Sequence, residues 1–279
     1  RFVHFDYKQN KLRGSHLSDA KADLLVYGMG EKAILEVARR LNSGKSLEDI
    51  AGTCIRKNDT DIERFKTTAK GESRTIRQLP SWSDIGNDVS AFMQAERVID
   101  RCSRSRADII LFQKQQASWI IQYPPAPVFS EKDLDQLYEL PFSRKPHPAA
   151  PDIPAYKMIK NSVTVVRGCY GNCSFCAITR HQGPRITSRS LDSVIDEVKK
   201  IARQNDFDGT ITDLGGPTAN LYGTECAIGS CAKHDCLFPE ICKNLILNES
   251  LSIKLLNRVS QLDGIKHLFI SSGLRLELL

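Results

Sequence analysis

Residues 161–183 read NSVTVVRGCYGNCSFCAITRHQG, and the organisation of the chain follows from them. The β-branched run from Asn161 to Val166 has strand composition. It gives way at once to a loop with two glycines, Gly168 and Gly171, and three cysteines, Cys169, Cys173 and Cys176, spaced Cys-x3-Cys-x2-Cys. Three thiolates on one short loop can hold three irons of a cubane [4Fe-4S] cluster. Such clusters normally take four cysteines, so one iron is left open for an outside ligand. Structural zinc favours four closed ligands, usually as two Cys-x2-Cys or Cys/His pairs, and the first gap here is three residues. A chance grouping of core thiols is the other reading, but the polar neighbours of Gly168 and Gly171 do not have core composition. The glycines let backbone amides approach the sulfurs, and Phe175 is placed to cover a cluster edge; both effects tune reduction potential.

Downstream of the loop, LDSVIDEVKKIA (191–202) puts Leu191, Val194, Ile195, Val198, Ile201 and Ala202 on one helical face, with Ser190 as N-cap. GTITDL (209–214) reads as a second strand, LSIKLLNRVSQL (251–262) as a second helix and GIKHLFISS (264–272) as a third strand. This alternation predicts a parallel sheet with active groups at the carboxyl ends of its strands. The cysteine loop leaves the end of the first strand, and Gly215-Gly216-Pro217-Thr218 leaves the end of the second, so the two should be neighbours. Ser271, Ser272 and Arg275 end the third strand on the same side, and Arg180 and His181 follow the loop directly.

A second cysteine group, Cys226, Cys231, Cys236 and Cys242, lies between the Gly-Gly turn and the second helix, with gaps of four, four and five residues. Four thiolates could close around a second iron-sulfur cluster or a zinc ion; free or reversibly paired thiols are the competing reading, and His234 is a substitute ligand. Cys54 and Cys102 stand alone and read as ordinary residues.

Upstream, ADLLVYG feeds EKAILEVARRL, whose Ala33, Ile34, Val37, Ala38 and Leu41 follow helical spacing: a βα unit with its edge at Gly28 and Gly30. Gly28-Met29-Gly30-Glu31 falls short of a dinucleotide fingerprint and reads as a tight turn. AFMQAERVIDRC is a helix, and ADIILF with SWIIQY around polar QKQQA is a β-hairpin. Trp82 and Trp119 read as packing anchors, and His147, between two prolines, has no partner evident from the sequence.

The composition, 41% hydrophobic and 26% charged with no apolar stretch near 18 residues, predicts a globular protein without a membrane span. Cysteines clustered in two places, and no apolar signal region at the start, point to a reducing, cytoplasmic setting. The net charge of +6 is spread over mixed-sign segments; only Arg101 to Arg106 faintly suggests a nucleic-acid patch.

The strand, the Cys-x3-Cys-x2-aromatic-Cys loop and the helix after it resemble the radical S-adenosylmethionine (SAM) superfamily. VYGMGEKAILEVA, YPPAP, LYELPFSRKPHP, CSFCAITRHQG, SRS and TDLGGPTAN are similar to segments of the YgiQ-type radical SAM proteins. The resemblance implies an α/β chain in three regions. Residues 1–57 would be the C-terminal part of a doubly wound domain like the cobalamin-binding fold, 58–154 a connector with a helix and a β-hairpin, and 155–279 the N-terminal half of a (βα) radical SAM barrel. No Asp-x-His-x-x-Gly motif occurs, so cobalamin is not expected.

The resemblance further implies that Cys169, Cys173 and Cys176 hold the [4Fe-4S] cluster and that Gly215 and Gly216, leading into Pro217 and Thr218, receive the methionine amino group of SAM through backbone carbonyls. Arg275 would fork to the SAM carboxylate, and Ser271 and Ser272 would bond the ribose or a substrate. The implied reaction is cleavage of SAM to a 5′-deoxyadenosyl radical, with electrons from a donor such as flavodoxin or ferredoxin. The alternative is a non-catalytic iron-sulfur or zinc-stabilised binding or electron-transfer module, nucleic-acid associated or not.

Overall fold

The computed structural model describes residues 1–104, 108–229, 231, 233 and 235–279. The chain divides into two compact units: Arg1–Pro127 together with residues 230–234, and Val128–Gly229 together with Asp235–Leu279. The protein is α/β in both.

In the first unit, β1 (His4–Asp6) and β2 (Lys11–Arg13) form an antiparallel hairpin, followed by the single turn α1 (His16–Asp19). β3 (Leu24–Val26), α2 (Glu31–Asn42), β4 (Thr53–Lys57), α3 (Asp59–Gly71), β5 (Thr75–Gln78), α4 (Trp82–Asn87), α5 (Val89–Arg104), β6 (Ile109–Lys114) and β7 (Trp119–Gln122) follow. The five later strands make one sheet in the order β3-β4-β7-β6-β5, in which only β5 and β6 run parallel. The sheet is therefore mixed, where a doubly wound domain would make β3 and β4 parallel. After α2, residues 43–52 return the chain to the end of β3 from which the helix started, so Thr53 pairs with Val26 and β4 runs back antiparallel.

The hairpin expected around QKQQA is present as β6 and β7, and it sits inside the sheet rather than in a connector. The strands on both sides of residue 58 share one sheet, and the boundary between the two compact units falls at 127/128. Cys54 and Cys102 are buried core thiols, as expected of ordinary residues. Trp119 packs on Phe112 at 5.8 Å between ring centroids and donates its indole N–H to Asp59 at 2.8 Å. On α2 the expected apolar face is only partly covered within this unit: Ala33 is buried, whereas Ile34 and Leu41 are exposed. Arg101 and Arg104 lie in the last turn of α5, where Arg104 pairs with Asp100 at 3.2 Å; residues 105 and 106 of that basic stretch lie outside the described residues.

The second unit opens with α6 (Glu131–Glu139), its N-terminus closed by a Ser130/Asp133 capping box, and the single turn α7 (Tyr156–Ile159). β8 (Ser162–Thr164) and β9 (Val166–Arg167) lead into the cysteine loop; α8 (Ile178–His181) and β10 (Thr187–Ser188) return from it. α9 spans Leu191–Ala202 with Ser190 as N-cap, its hydroxyl accepting from the Ser193 N–H. The predicted face is the buried one: Val194, Ile195, Val198 and Ile201 enter the core with Val163, Val165, Ile211 and Leu214. Each such side chain contributes about 1.5–3 kcal/mol by leaving water.

β11 (Thr210–Ile211) and β12 (Asp213–Gly215) form the next strand, interrupted at Thr212. A short antiparallel pair, β13 (Glu225–Cys226) and β14 (Leu245–Ile246), closes the insertion; α10 (Glu249–Ser260) and β15 (His267–Leu268) complete the unit. β12 runs parallel to β8, with Gly215 opposite Thr164, and β11 runs parallel to β15. Three consecutive strands therefore lie side by side in parallel, joined by the crossover helices α9 and α10. Their carboxyl ends share one edge.

A buried ion network ties the start of this unit to its core. Arg189, 1% exposed, and Arg144 both bond the carboxylate of Glu197 on α9. Arg189 also donates to the Thr164 carbonyl at 3.0 Å and lies 4.3 Å from the Tyr138 ring centroid. Burial lowers the pKa of the Arg189 guanidinium to about 10. Arg144 comes from LYELPFSRKPHP and Arg189 from SRS, so two of the segments singled out in the sequence meet on one carboxylate.

Candidate metal and cofactor site

The cysteine loop is shaped by its glycines. Gly168 adopts φ +87°, and a Cβ there would lie 1.6 Å from the Arg185 carbonyl oxygen, so the chain can pass Arg185 only as glycine. The Gly168 N–H donates to Gln182 Oε1 at 2.9 Å and the Cys169 N–H to the Gly183 carbonyl at 3.3 Å, closing the loop at its base. Inside it the Gly171 N–H donates to Cys169 Sγ at 3.4 Å, the amide-to-sulfur approach expected of a glycine. Cys169 is buried, and Cys173 and Cys176 are half-buried. Burial is the main reason the Cys169 thiol pKa is raised, against the Gly171 N–H and the Arg275 charge. Phe175 is 91% exposed. Arg180 and His181 are also exposed.

The other strand ends converge as predicted. The Val165 N–H donates to the Gly215 carbonyl at 2.7 Å, so the Gly215–Thr218 turn stands beside the strand that feeds the cysteine loop. Glycine is dictated there by the protein's own packing: a Cβ at Gly215 would lie 1.9 Å from Ser272 Oγ, and one at Gly216 would lie 2.5 Å from the Val166 carbonyl oxygen. Among the described residues, Thr218 Oγ1 is buried without a hydrogen-bond partner.

Ser271 and Ser272 are held by a residue that strand reading passed over. Asp213 accepts from the Ser271 N–H at 2.8 Å, the Ser272 N–H at 3.1 Å and the Ser272 hydroxyl at 3.2 Å. The Ser271 hydroxyl donates to the Thr212 carbonyl at 2.7 Å. A charged residue inside GTITDL, at the point where the strand breaks, was the available signal.

Arg275 reaches the cysteine loop itself. Its Nη2 donates to Cys173 Sγ at 3.1 Å and its Nη1 to Glu277 at 2.6 Å, while Nε is buried without a partner among the described residues. Burial alone would lower the guanidinium pKa, but the bonds to Glu277 and Cys173 outweigh it and hold it above the ordinary value. The arginine expected to meet a ligand carboxylate is thus engaged by a thiol and a carboxylate of the protein.

The insertion packs against the same loop. The Cys236 N–H donates to the Tyr170 carbonyl at 3.1 Å, the Asn172 N–H to Asp235 Oδ2 at 3.0 Å, and Cys226 and Cys236 border the apolar cluster of Cys169, Tyr170, Leu221 and Leu237. The Cys242 N–H donates to the Cys236 carbonyl. Cys231 is exposed and is grouped with the first unit, and His234 lies outside the described residues. Among the described residues, no three Cys, His, Asp or Glu side chains are closed up as a single ion would require, in either cysteine group. What fits at the first group is donor chemistry. It offers three unbridged thiols on one loop, with an amide N–H directed at one sulfur and a guanidinium at another. His147, for its part, accepts from the Ala149 N–H at 3.2 Å in a local turn.

Residues 1–162 match the family described as Radical SAM N-terminal. The chain belongs to that family. The matched residues end before Cys169. Among curated relatives, the chain is 39% identical to a UPF0313 protein of Thermotoga neapolitana, over 99% of this chain and 48% of the relative. It is 40% identical to a UPF0313 protein of Methanocella arvoryzae, over 100% of this chain and 46% of the relative. The chain thus spans about half the length of the curated relatives it matches. Among solved structures, it is similar to the radical SAM methyltransferase TsrM from Kitasatospora setae, with 17% identity, 72% of this chain and 26% of that chain covered, and a TM-score of 0.33. At that score the likeness carries no weight. No helix among the described residues is long and apolar enough to cross a membrane.

Proposed function

We propose that the chain contributes the cofactor-binding half of a radical SAM enzyme, with Cys169, Cys173 and Cys176 holding a [4Fe-4S] cluster. The observation that carries this reading is the placement of three unbridged thiols at the carboxyl end of β9, beside the Gly215–Thr218 turn at the end of β12. When bound, the cluster would supply one electron to SAM at its open iron, and SAM cleavage would give a 5′-deoxyadenosyl radical that takes a hydrogen atom from a substrate.

The chain's own residues then divide the work. The loop glycines aim the Gly171 amide at sulfur, and Arg275 supplies positive charge beside it. Gly216 and Pro217 offer backbone carbonyls and Thr218 its buried hydroxyl to SAM, while the Gly215 and Thr218 carbonyls, which accept from Val165 and Leu221, hold the turn in place. Asp213 holds Ser271 and Ser272 against that turn. The parallel strands with α9 and α10 between them are, on this reading, the first half of a (βα) barrel, and the electron donor is a small redox protein such as a flavodoxin or ferredoxin.

The test is anaerobic reconstitution with iron and sulfide, followed by EPR of the dithionite-reduced protein with and without SAM and an assay for 5′-deoxyadenosine. About four irons should bind, SAM should alter the EPR signal, and alanine at any one of the three cysteines should remove most of the cluster. A cluster indifferent to SAM would leave a metal-stabilised binding or electron-transfer module.

A further inference from the structure

We infer that Arg275 is a positioning residue of the cysteine loop, set to donate a charge-assisted hydrogen bond to the Cys173 sulfur and so to raise the reduction potential of the group that loop holds. The inference rests on the cluster reading above and adds to it the residue that tunes the site.

Four observations support it. The Nη2–Sγ distance is 3.1 Å, within hydrogen-bond range for sulfur. Gly171, between Cys169 and Cys173, leaves the space that the guanidinium fills: a Cβ there would lie 2.6 Å from Arg275 Nη2. The backbone of Arg275 is clamped from both sides by one residue, its N–H donating to Asn220 Oδ1 at 2.9 Å and its carbonyl accepting from Asn220 Nδ2 at 2.8 Å. Glu277 takes Nη1, which fixes the plane of the fork and leaves Nη2 for sulfur. Asn220 follows the Gly215–Thr218 turn, so the arginine is referenced to the second strand end while it touches the loop of the first.

The chemistry follows from charge. A three-thiolate cluster carries negative charge, and one-electron reduction adds another unit of it without breaking a bond. A guanidinium cannot lose its proton here, so it stabilises the reduced form more than the oxidised one, and hydrogen bonds to ligand sulfur act in the same direction.

The experiment is an EPR-monitored potentiometric titration with dithionite of the reconstituted chain, comparing wild type, Arg275→Gln, Arg275→Lys and Gly171→Ala, with iron and sulfide determined for each. Arg275→Gln should lower the ratio of reduced to oxidised cluster at fixed potential about tenfold, a negative shift of about 59 mV for a one-electron couple, and Arg275→Lys should restore part of it. Gly171→Ala keeps the arginine but pushes its guanidinium off the sulfur, so it should shift the potential the same way. It also guards against Arg275→Gln failing to fold. Normal cluster content with an unchanged potential in the variants that fold would overturn the role of Arg275 and leave the cluster standing. Wild-type chain that takes up no iron and sulfide would overturn the cluster reading, and this inference with it.

Discussion

Replacing Gly168 by alanine should destabilise the second unit more than any other single methyl added near the cysteine loop. Two costs combine there. The residue sits at φ +87°, in the left-handed region, where a side chain costs about 1–2 kcal/mol. The new Cβ would also lie 1.6 Å from the Arg185 carbonyl oxygen and 2.6 Å from its carbon. Those are backbone atoms, which cannot rotate aside. Relief requires the strand after Arg185 to shift by more than 1 Å, on the order of the overlap with an ordinary carbon contact. That strand is β10, whose Thr187 pairs with Arg167, and overpacking of this kind costs about 1–3 kcal/mol. The sum is about 2–5 kcal/mol, a large share of a typical domain's stability. Two neighbours separate the terms. Gly183 has φ +93° with nothing within 4 Å, so Gly183→Ala should lose only the conformational part; Gly216 lacks a positive φ but would meet Val166, so Gly216→Ala should lose only the steric part. Urea denaturation followed by far-ultraviolet circular dichroism gives the three losses. If Gly168→Ala costs no more than Gly183→Ala, the steric argument is refuted.

Glu197→Ala should cost about 3–5 kcal/mol, because it leaves buried Arg189 and half-buried Arg144 without their shared carboxylate. A loss under about 1 kcal/mol in the same denaturation assay would mean that water or Tyr138 compensates them. In the metal-free protein Cys169 should alkylate more slowly than exposed Cys231 near neutral pH, since burial raises its thiol pKa and only the thiolate reacts. Its rate should keep rising with pH beyond the ordinary thiol range. Site-resolved mass spectrometry reads both rates, and equal rates with equal pH profiles would contradict the burial argument.

The parallel strand, helix and strand-end pattern of the second unit was legible because its signals are local. LDSVIDEVKKIA carries both its period and its cap, and α9 begins after Ser190 and buries the predicted face. Strand direction in the first unit was not legible. The run from β3 through α2 to β4 has the βα pattern of a parallel unit, yet residues 43–52 reverse the chain, and neither period nor propensity encodes that return. An aromatic next to a cysteine says nothing about which side of the loop it faces, and Phe175 faces solvent. Asp213 was read as part of a strand, although its carboxylate gathers the end of β12 and the Ser271–Ser272 turn.

The glycine pair shows how two requirements can coincide at one position. Read from the sequence, Gly215 and Gly216 are small so that a ligand can approach backbone carbonyls; in the fold, Ser272 and Val166 already occupy the space a Cβ would need. Loss of SAM binding in a Gly216→Val variant would therefore not separate contact from collapse, because the same side chain would push on Val166, directly before the cysteine loop. Arg275 avoids that ambiguity. Its working end is a side chain held by Glu277, its backbone is clamped independently by Asn220, and its guanidinium touches sulfur without forming part of the strand. Substitution there changes charge at the site and leaves the sheet intact, so the chemistry of the cysteine loop can be probed apart from its architecture.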